Sequence, residues 1–111
     1  MKKIVMGYKN FHSNFYNKRK SFFSKLSTGQ SPEVLFITCS DSRVDPNLLT
    51  SSGPGDLFVI RNAGNIIPPH KNTSCGFAAS VEFAVNAIGI KHVIICGHSD
   101  CGAMKGALDE S

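Results

Sequence analysis

Apolar positions along this chain follow two different rhythms. Between Gly7 and Ser27, Tyr8, Phe11, Phe15, Phe22 and Leu26 recur at helical spacing, with Arg19 on the same stripe and Tyr16 and Phe23 widening it. That spacing predicts a helix over residues 7–27. Ser27-Thr28-Gly29-Gln30 ends it and Pro32 blocks its continuation. Further on, the apolar residues come in short unbroken runs. Val34 to Thr38, Asp56 to Ile60 and His92 to Cys96 each read as a strand buried on both faces.

The segments between these runs carry helix and turn signals. Asp45 followed by Pro46 predicts a short helix from Pro46 to Thr50, with Asp45 as N-cap and proline at the first helical position. Gly53-Pro54-Gly55 is a turn, and Arg61 to Lys71 is a loop marked by Gly64 and Pro68-Pro69. Cys75 to Ile88 reads as a helix capped by Thr73 or Ser74 and stopped by Gly89, with Phe77, Val81, Ala84, Val85 and Ile88 on its apolar face. Gly97 breaks the third strand, and Ser99 or Asp100 opens a last helix that runs to about Leu108.

Strands alternating with helices predict an α/β fold, a mainly parallel sheet flanked by helices. The expected organisation is an N-terminal helical arm over residues 1–30 and an α/β domain over residues 31–111. Three strands would leave an exposed sheet edge. The sequence therefore reads as the front part of a larger domain, incomplete at its C-terminal side.

Composition narrows the partners. No apolar run approaches the roughly 20 residues that span a bilayer. The start, Met1 to Met6, has the charge of a signal peptide but not its apolar stretch, since Gly7, Tyr8, Lys9 and Asn10 interrupt it. A cytoplasmic protein without a membrane partner is expected. The net charge of +4 is concentrated at the front, where Lys2, Lys3, Lys9, Lys18, Arg19, Lys20 and Lys25 all precede the first acid, Glu33. A charge run of this kind is more often a solvated face of a packing helix than a nucleic-acid surface, so no nucleic-acid partner is expected.

The four cysteines, Cys39, Cys75, Cys96 and Cys101, belong with metal chemistry rather than disulfides in such a chain. Cys39 follows the first strand, and His98 and Cys101 follow the third. Ligands of open parallel sheets bind beyond the carboxyl ends of the strands, where these three side chains can meet. Two thiolates and one imidazole suit zinc. Cys75 and Cys96 lack the usual short spacing to a ligand and read as small apolar fillers. The fourth position is then open to water or to Asp41. Asp41 and Arg43, two apart on an extended segment, point to one side. An arginine fork grips a carboxylate by two parallel hydrogen bonds, which would keep Asp41 ionised and off the metal. His12, His70 and His92 read as ordinary surface or packing residues.

Cys39-Ser40-Asp41-Ser42-Arg43, together with Gly97-His98-Ser99-Asp100-Cys101-Gly102, resembles the paired signature of the β-class carbonic anhydrases. The similarity extends through Gly29 to Pro32, Gly55 to Asn65 and Ser80 to Ala84. The resemblance implies a zinc-dependent lyase that reversibly hydrates carbon dioxide to bicarbonate and a proton, working as a homodimer or higher homo-oligomer. It implies Cys39, His98 and Cys101 as metal ligands, Asp41 and Arg43 as a catalytic pair, and Asp41 as an alternative fourth ligand in a closed state. It further implies a carbon dioxide pocket lined by Gln30, Phe58, Ala63, Phe83 and Gly102, with Gln30 and Phe83 serving either this subunit or a neighbour. Many relatives carry tyrosine where Phe83 stands, so this wall is apolar here. Bicarbonate-regulated relatives depend partly on a tryptophan, and this chain has none. The alternatives to weigh are an inactive zinc-binding fragment and a related carbonyl sulfide or carbon disulfide hydrolase.

Overall fold

The computed structural model describes residues 1–69 and 75–109. The chain divides into two compact units, Met1–Gln30 and Ser31–Ser111.

The first unit is helical from Lys2 to Leu26 but is not one helix. It runs as α1 (Lys2–Asn10), a π-helical turn (Phe11–Tyr16), a 3-10 turn (Asn17–Arg19) and α2 (Lys20–Leu26). The helix begins five residues before the expected Gly7. Twelve residues of straight helix would hold Phe11 and Phe23 about 18 Å apart, yet their ring centroids are 5.8 Å apart. The chain therefore doubles back. The reversal sits at Arg19, whose backbone leaves the helical region (φ −132°, ψ 36°). Phe23 then meets Phe15 at 5.9 Å and Tyr16 at 5.3 Å, while the Arg19 guanidinium lies 4.0 Å over the Phe15 ring. The stripe that predicts a single helix is satisfied by folding on itself, because aromatic contact outweighs the small cost of one non-helical residue.

The second unit is built on three parallel strands, β1 (Val34–Cys39), β2 (Leu57–Asn62) and β3 (His92–Cys96), in the order β2-β1-β3. Leu35 pairs with Phe58 on one side and Val93 on the other. As the central strand, β1 is buried from Leu35 to Cys39. Leu35, Ile37, Ile60 and Ala84 form the core, with Phe58, Ile67, Val81 and Ile90 packed against it. The Thr38 hydroxyl, also buried, donates to the Cys96 carbonyl at 2.9 Å and ties β1 to β3 beside the strand ends.

The third strand departs from expectation. Its apolar run predicts burial on both faces, but Val93 is 54% and Ile95 67% exposed. Both β2 and β3 are edge strands, but β2 keeps Ile60 in the core whereas β3 is exposed from His92 to Ile95.

The helices keep their predicted stops and starts with two shifts. Helix α3 (Pro46–Thr50) is capped by Asp45, whose carboxylate accepts the Leu48 amide at 3.2 Å. Helix α4 (Gly76–Glu82) continues as a π-helical turn (Phe83–Ile88) and ends at Gly89 with φ +80°, the left-handed stop that glycine allows. Cys75 occupies its N-cap position, while the expected caps Thr73 and Ser74, like His70, lie outside the described residues. Helix α5 (Gly102–Asp109) opens later than Ser99 or Asp100. Asp100 has a left-handed backbone (φ +55°), so the helix cannot form until that turn is complete.

Candidate metal centre

The carboxyl ends of the three parallel strands deliver the chemistry-bearing residues to one place. Cys39 is the last residue of β1, and His98 and Cys101 lie on the turn between β3 and α5. Their ligand atoms all fall within 4.8 Å of one another. The two sulfurs are 3.9 Å apart. A disulfide would need about 2.05 Å, whereas two sulfurs on a tetrahedral zinc at about 2.3 Å each sit about 3.8 Å apart. The pair has the spacing of two ligands on one metal.

His98 is oriented for the same purpose. Its Nδ1 lies 2.8 Å from the Ser99 carbonyl. A carbonyl only accepts, so Nδ1 carries a proton, which leaves Nε2 as the nitrogen that would offer its lone pair to a metal. That Nε2 is buried and, among the described residues, has no hydrogen-bond partner. Buried polar atoms are almost always satisfied, so an orphan aimed between two thiols marks a place for a cation. The donor set, two sulfurs and one imidazole nitrogen, fits a borderline-soft metal.

The surroundings of Cys39 favour its thiolate. The Gly64 amide donates to its sulfur at 3.4 Å. That amide first, then His98 and the Asp41 backbone, pull the Cys39 thiol down to about 6. Gly64 reaches the sulfur because its backbone adopts φ +91°, and a Cβ there would stand 3.5 Å from that of Ala103. The resulting thiolate, followed by the Ser99 carbonyl, raises the imidazole of His98.

Asp41 and Arg43 form the expected fork. Arg43 Nε donates to Asp41 Oδ1 at 3.0 Å, Nη2 to Oδ2 at 2.7 Å, and the Arg43 backbone amide to Oδ1 at 2.8 Å. These bonds hold the Asp41 carboxyl well below the usual carboxylate range. Asp41 Oδ2 is also 3.7 Å from His98 Nε2. A carboxylate therefore stands beside the three ligand atoms, restrained by its arginine.

The remaining expected site residues are more scattered. Phe58 and Phe83 lie together, with ring centroids 6.1 Å apart. Phe83 is half exposed, and Ala63 and Gly102 are exposed on the loop after β2 and at the start of α5. Gln30 is exposed at the end of the first unit.

Sequence reading missed Arg61. Its Nε donates to the Cys39 carbonyl at 2.9 Å, and its Nη2 to the carbonyls of Asp41 and Val44 at 2.9 and 2.8 Å. One guanidinium thus fixes the backbone that carries both Cys39 and Asp41. Asn62 similarly closes the neighbouring loop, accepting from the Ile66 amide at 3.1 Å and donating to its carbonyl at 2.6 Å. A charged residue ending an apolar strand was the available signal for Arg61, but its acceptors are backbone atoms, which leave no trace in sequence.

Comparison with known proteins agrees with this geometry. The family described as carbonic anhydrase matches residues 34–111. The carbonic anhydrase of Synechococcus elongatus is 55% identical over 108 residues, 97% of this chain and 40% of that protein. That of Pseudomonas aeruginosa is 52% identical over 108 residues, 97% of this chain and 49% of that protein. Among solved structures, the β-carbonic anhydrase CcaA superposes with a TM-score of 0.92 at 53% identity, covering 97% of this chain and 52% of that one. The chain spans about half the length, or less, of the relatives it matches. With its fold and its cysteine–histidine–cysteine group both in place, the chain belongs to the β-class carbonic anhydrase family.

Proposed function

We propose that this chain carries the reversible hydration of carbon dioxide to bicarbonate, with zinc held by Cys39, His98 and Cys101. The observation that carries this reading is the buried, unpartnered Nε2 of His98 beside two thiols 3.9 Å apart, with Asp41 restrained alongside. Relatives named carbonic anhydrase, at 52–55% identity, support it.

Zinc, when bound, acidifies a coordinated water toward a pKa of ~7 and so makes hydroxide available near neutral pH. Two thiolates cancel its formal charge, so this ligand set leaves less acidifying power than three imidazoles would. Asp41 offsets that deficit. Ionised and fixed by Arg43, it accepts a hydrogen bond from the attacking oxygen and directs its lone pair toward the carbon of carbon dioxide. Arg43 prevents Asp41 from taking up the proton itself or from drifting onto the metal. Phe58, Phe83, Ala63 and Gly102 are proposed as the pocket for an apolar, linear substrate. The Phe58–Phe83 pair supplies a wall with no hydroxyl. A homodimer or higher homo-oligomer is proposed with it; a Sordaria macrospora relative, 38% identical with a TM-score of 0.86, is described as tetrameric.

Stopped-flow hydration of carbon dioxide tests the reading. A chain loaded with one zinc is expected to exceed the buffer rate and to lose that excess in Cys39→Ser and Asp41→Ala. A zinc-loaded chain no faster than buffer would sink the proposal.

A further inference from the structure

Arg43 is gripped from two sides. Its fork to Asp41 is local, since the two residues share one turn. The second contact crosses the site: Nη2 also donates to the Asp100 carbonyl at 3.0 Å, and Nη1 lies 3.6 Å from Asp100 Oδ2. Asp100 stands between the two ligands of its own turn, His98 and Cys101. Its left-handed backbone (φ +55°), which aspartate tolerates better than most residues, is part of the turn that presents both its carbonyl and its carboxylate to Arg43. The other carboxylate oxygen, Oδ1, pairs with Lys105, one turn into α5. A chain of contacts therefore runs Asp41–Arg43–Asp100–Lys105, from the Cys39 loop to the helix after Cys101.

The consequence concerns how far Asp41 has to move. In a tetrahedral site with ligands at about 2.0–2.1 Å, a nitrogen and an oxygen lie about 3.3 Å apart. Asp41 Oδ2 is already 3.7 Å from His98 Nε2. A small displacement would make it the fourth ligand, and the grip of Arg43 opposes that displacement. Arg43 tied only to Asp41 could travel with it. Arg43 tied also to Asp100 is referenced to the turn that carries the other ligands, so Asp41 must break the fork in order to move.

We propose that Asp100 is a positioning residue: anchored by Lys105, it holds Arg43 in place and so limits how often Asp41 closes the fourth metal position. This rests on the metal centre proposed above. The contacts involved are largely solvent-exposed, with side-chain exposures of 59% for Arg43 and 64% for Asp100, so the effect is modest. Exposed charge pairs shift equilibria by about two- to fivefold.

The test uses the whole chain with cobalt(II) in place of zinc and azide as the probe of the fourth position, titrated by the visible spectrum. Asp100→Asn is expected to weaken azide binding by about two- to fivefold, because azide must displace Asp41 more often. Simple loss of a negative charge near an anion site predicts the opposite sign. In an Asp41→Ala background, Asp100→Asn is expected to have no weakening effect. Azide affinity unchanged or tightened by Asp100→Asn, or weakened equally with Asp41 absent, would overturn the proposal. If Asp100→Asn does not fold, Lys105→Gln is read in the same way, with the same direction expected and the same outcomes refuting it. A wild-type chain that shows no sulfur-to-cobalt absorption refutes the metal centre itself, and the proposal with it. A chain that shows the band but not the azide shift refutes only the role of Asp100.

Discussion

Replacing Arg61 with methionine keeps most of the side-chain stem and removes the guanidinium that gathers the carbonyls of Cys39, Asp41 and Val44. Hydrogen bonds from a charged donor contribute about 1.5–3 kcal/mol each, so three independent ones would sum to about 4.5–9 kcal/mol. Here two of them share Nη2, and Arg61 is only half-buried, so water can reach some of the freed carbonyls. The expected loss is therefore about 2–4 kcal/mol. Urea unfolding of the metal-free chain reads it directly: the midpoint falls while the slope stays the same, since the surface exposed on unfolding is unchanged. Zinc affinity, measured separately by competition with a chelating dye, is expected to fall about 10–100-fold, the usual cost of losing an outer partner of a ligand. Arg61→Lys should recover little, because one ammonium cannot span the same three carbonyls. A stability within about 0.5 kcal/mol of wild type, the scatter of ordinary surface substitutions, refutes this account of the loop.

Cys39→Ser is expected to reduce zinc affinity by more than the roughly 10–100-fold typical of an outer partner; chelator competition giving wild-type affinity would remove Cys39 from the ligand set. Leu35→Ala, at a fully buried position on the central strand, is expected to lower stability by about 2–5 kcal/mol in urea unfolding, and a loss below about 1 kcal/mol would contradict the packing described. The Cys39 thiol, lowered from 9.0 to about 6 chiefly by the Gly64 amide, gives a pH signature in the metal-free chain. A depressed acid stabilises the fold above its unfolded value and loses that contribution as pH falls through its folded value. Unfolding midpoints in the presence of chelator should therefore rise from pH 6 to 9 more steeply in wild type than in Cys39→Ser. Equal slopes would count against the Gly64 contact.

Legibility from sequence followed the locality of each cause. The short helix at Pro46 was readable because an aspartate cap and a first-turn proline act within four residues, and Asp45 does accept the Leu48 amide. Gly89 was readable for the same reason. The central strand was readable because its burial follows from its own apolar run. The arm was not, because its reversal at Arg19 answers to contacts between Phe11 and Phe23, twelve residues apart, which periodicity alone treats as one stripe. Nor was the exposure of β3, since an apolar run looks the same on a central strand and on an edge. At the site, Cys39, His98 and Cys101 announced themselves by residue type, and Asp41 with Arg43 by spacing. Arg61 and the Gly64 amide act through backbone atoms, and Asp100 acts partly through its carbonyl. Sequence carries no mark of these.

The two arginines divide the control of Cys39 and Asp41 between backbone and side chain. Arg61, near the end of β2, donates to the carbonyls of Cys39 and Asp41 and so fixes where the chain carries them. Arg43 binds carboxylate oxygens and fixes where the Asp41 side chain points. Neither task suits lysine, because each depends on several donors in a rigid fork meeting acceptors at set angles. The order of dependence matters. The fork between Arg43 and Asp41 also uses the Arg43 backbone amide, which donates to Asp41 Oδ1 at 2.8 Å. That amide lies in the very turn whose carbonyls Arg61 gathers. Loss of Arg61 should therefore loosen the Asp41 fork as well as Cys39, whereas loss of Arg43 should leave the strand end and its cysteine in place. The sheet supplies the convergence of three strand ends, Arg61 turns that convergence into a fixed loop, and only then can Arg43 set the Asp41 carboxylate beside His98.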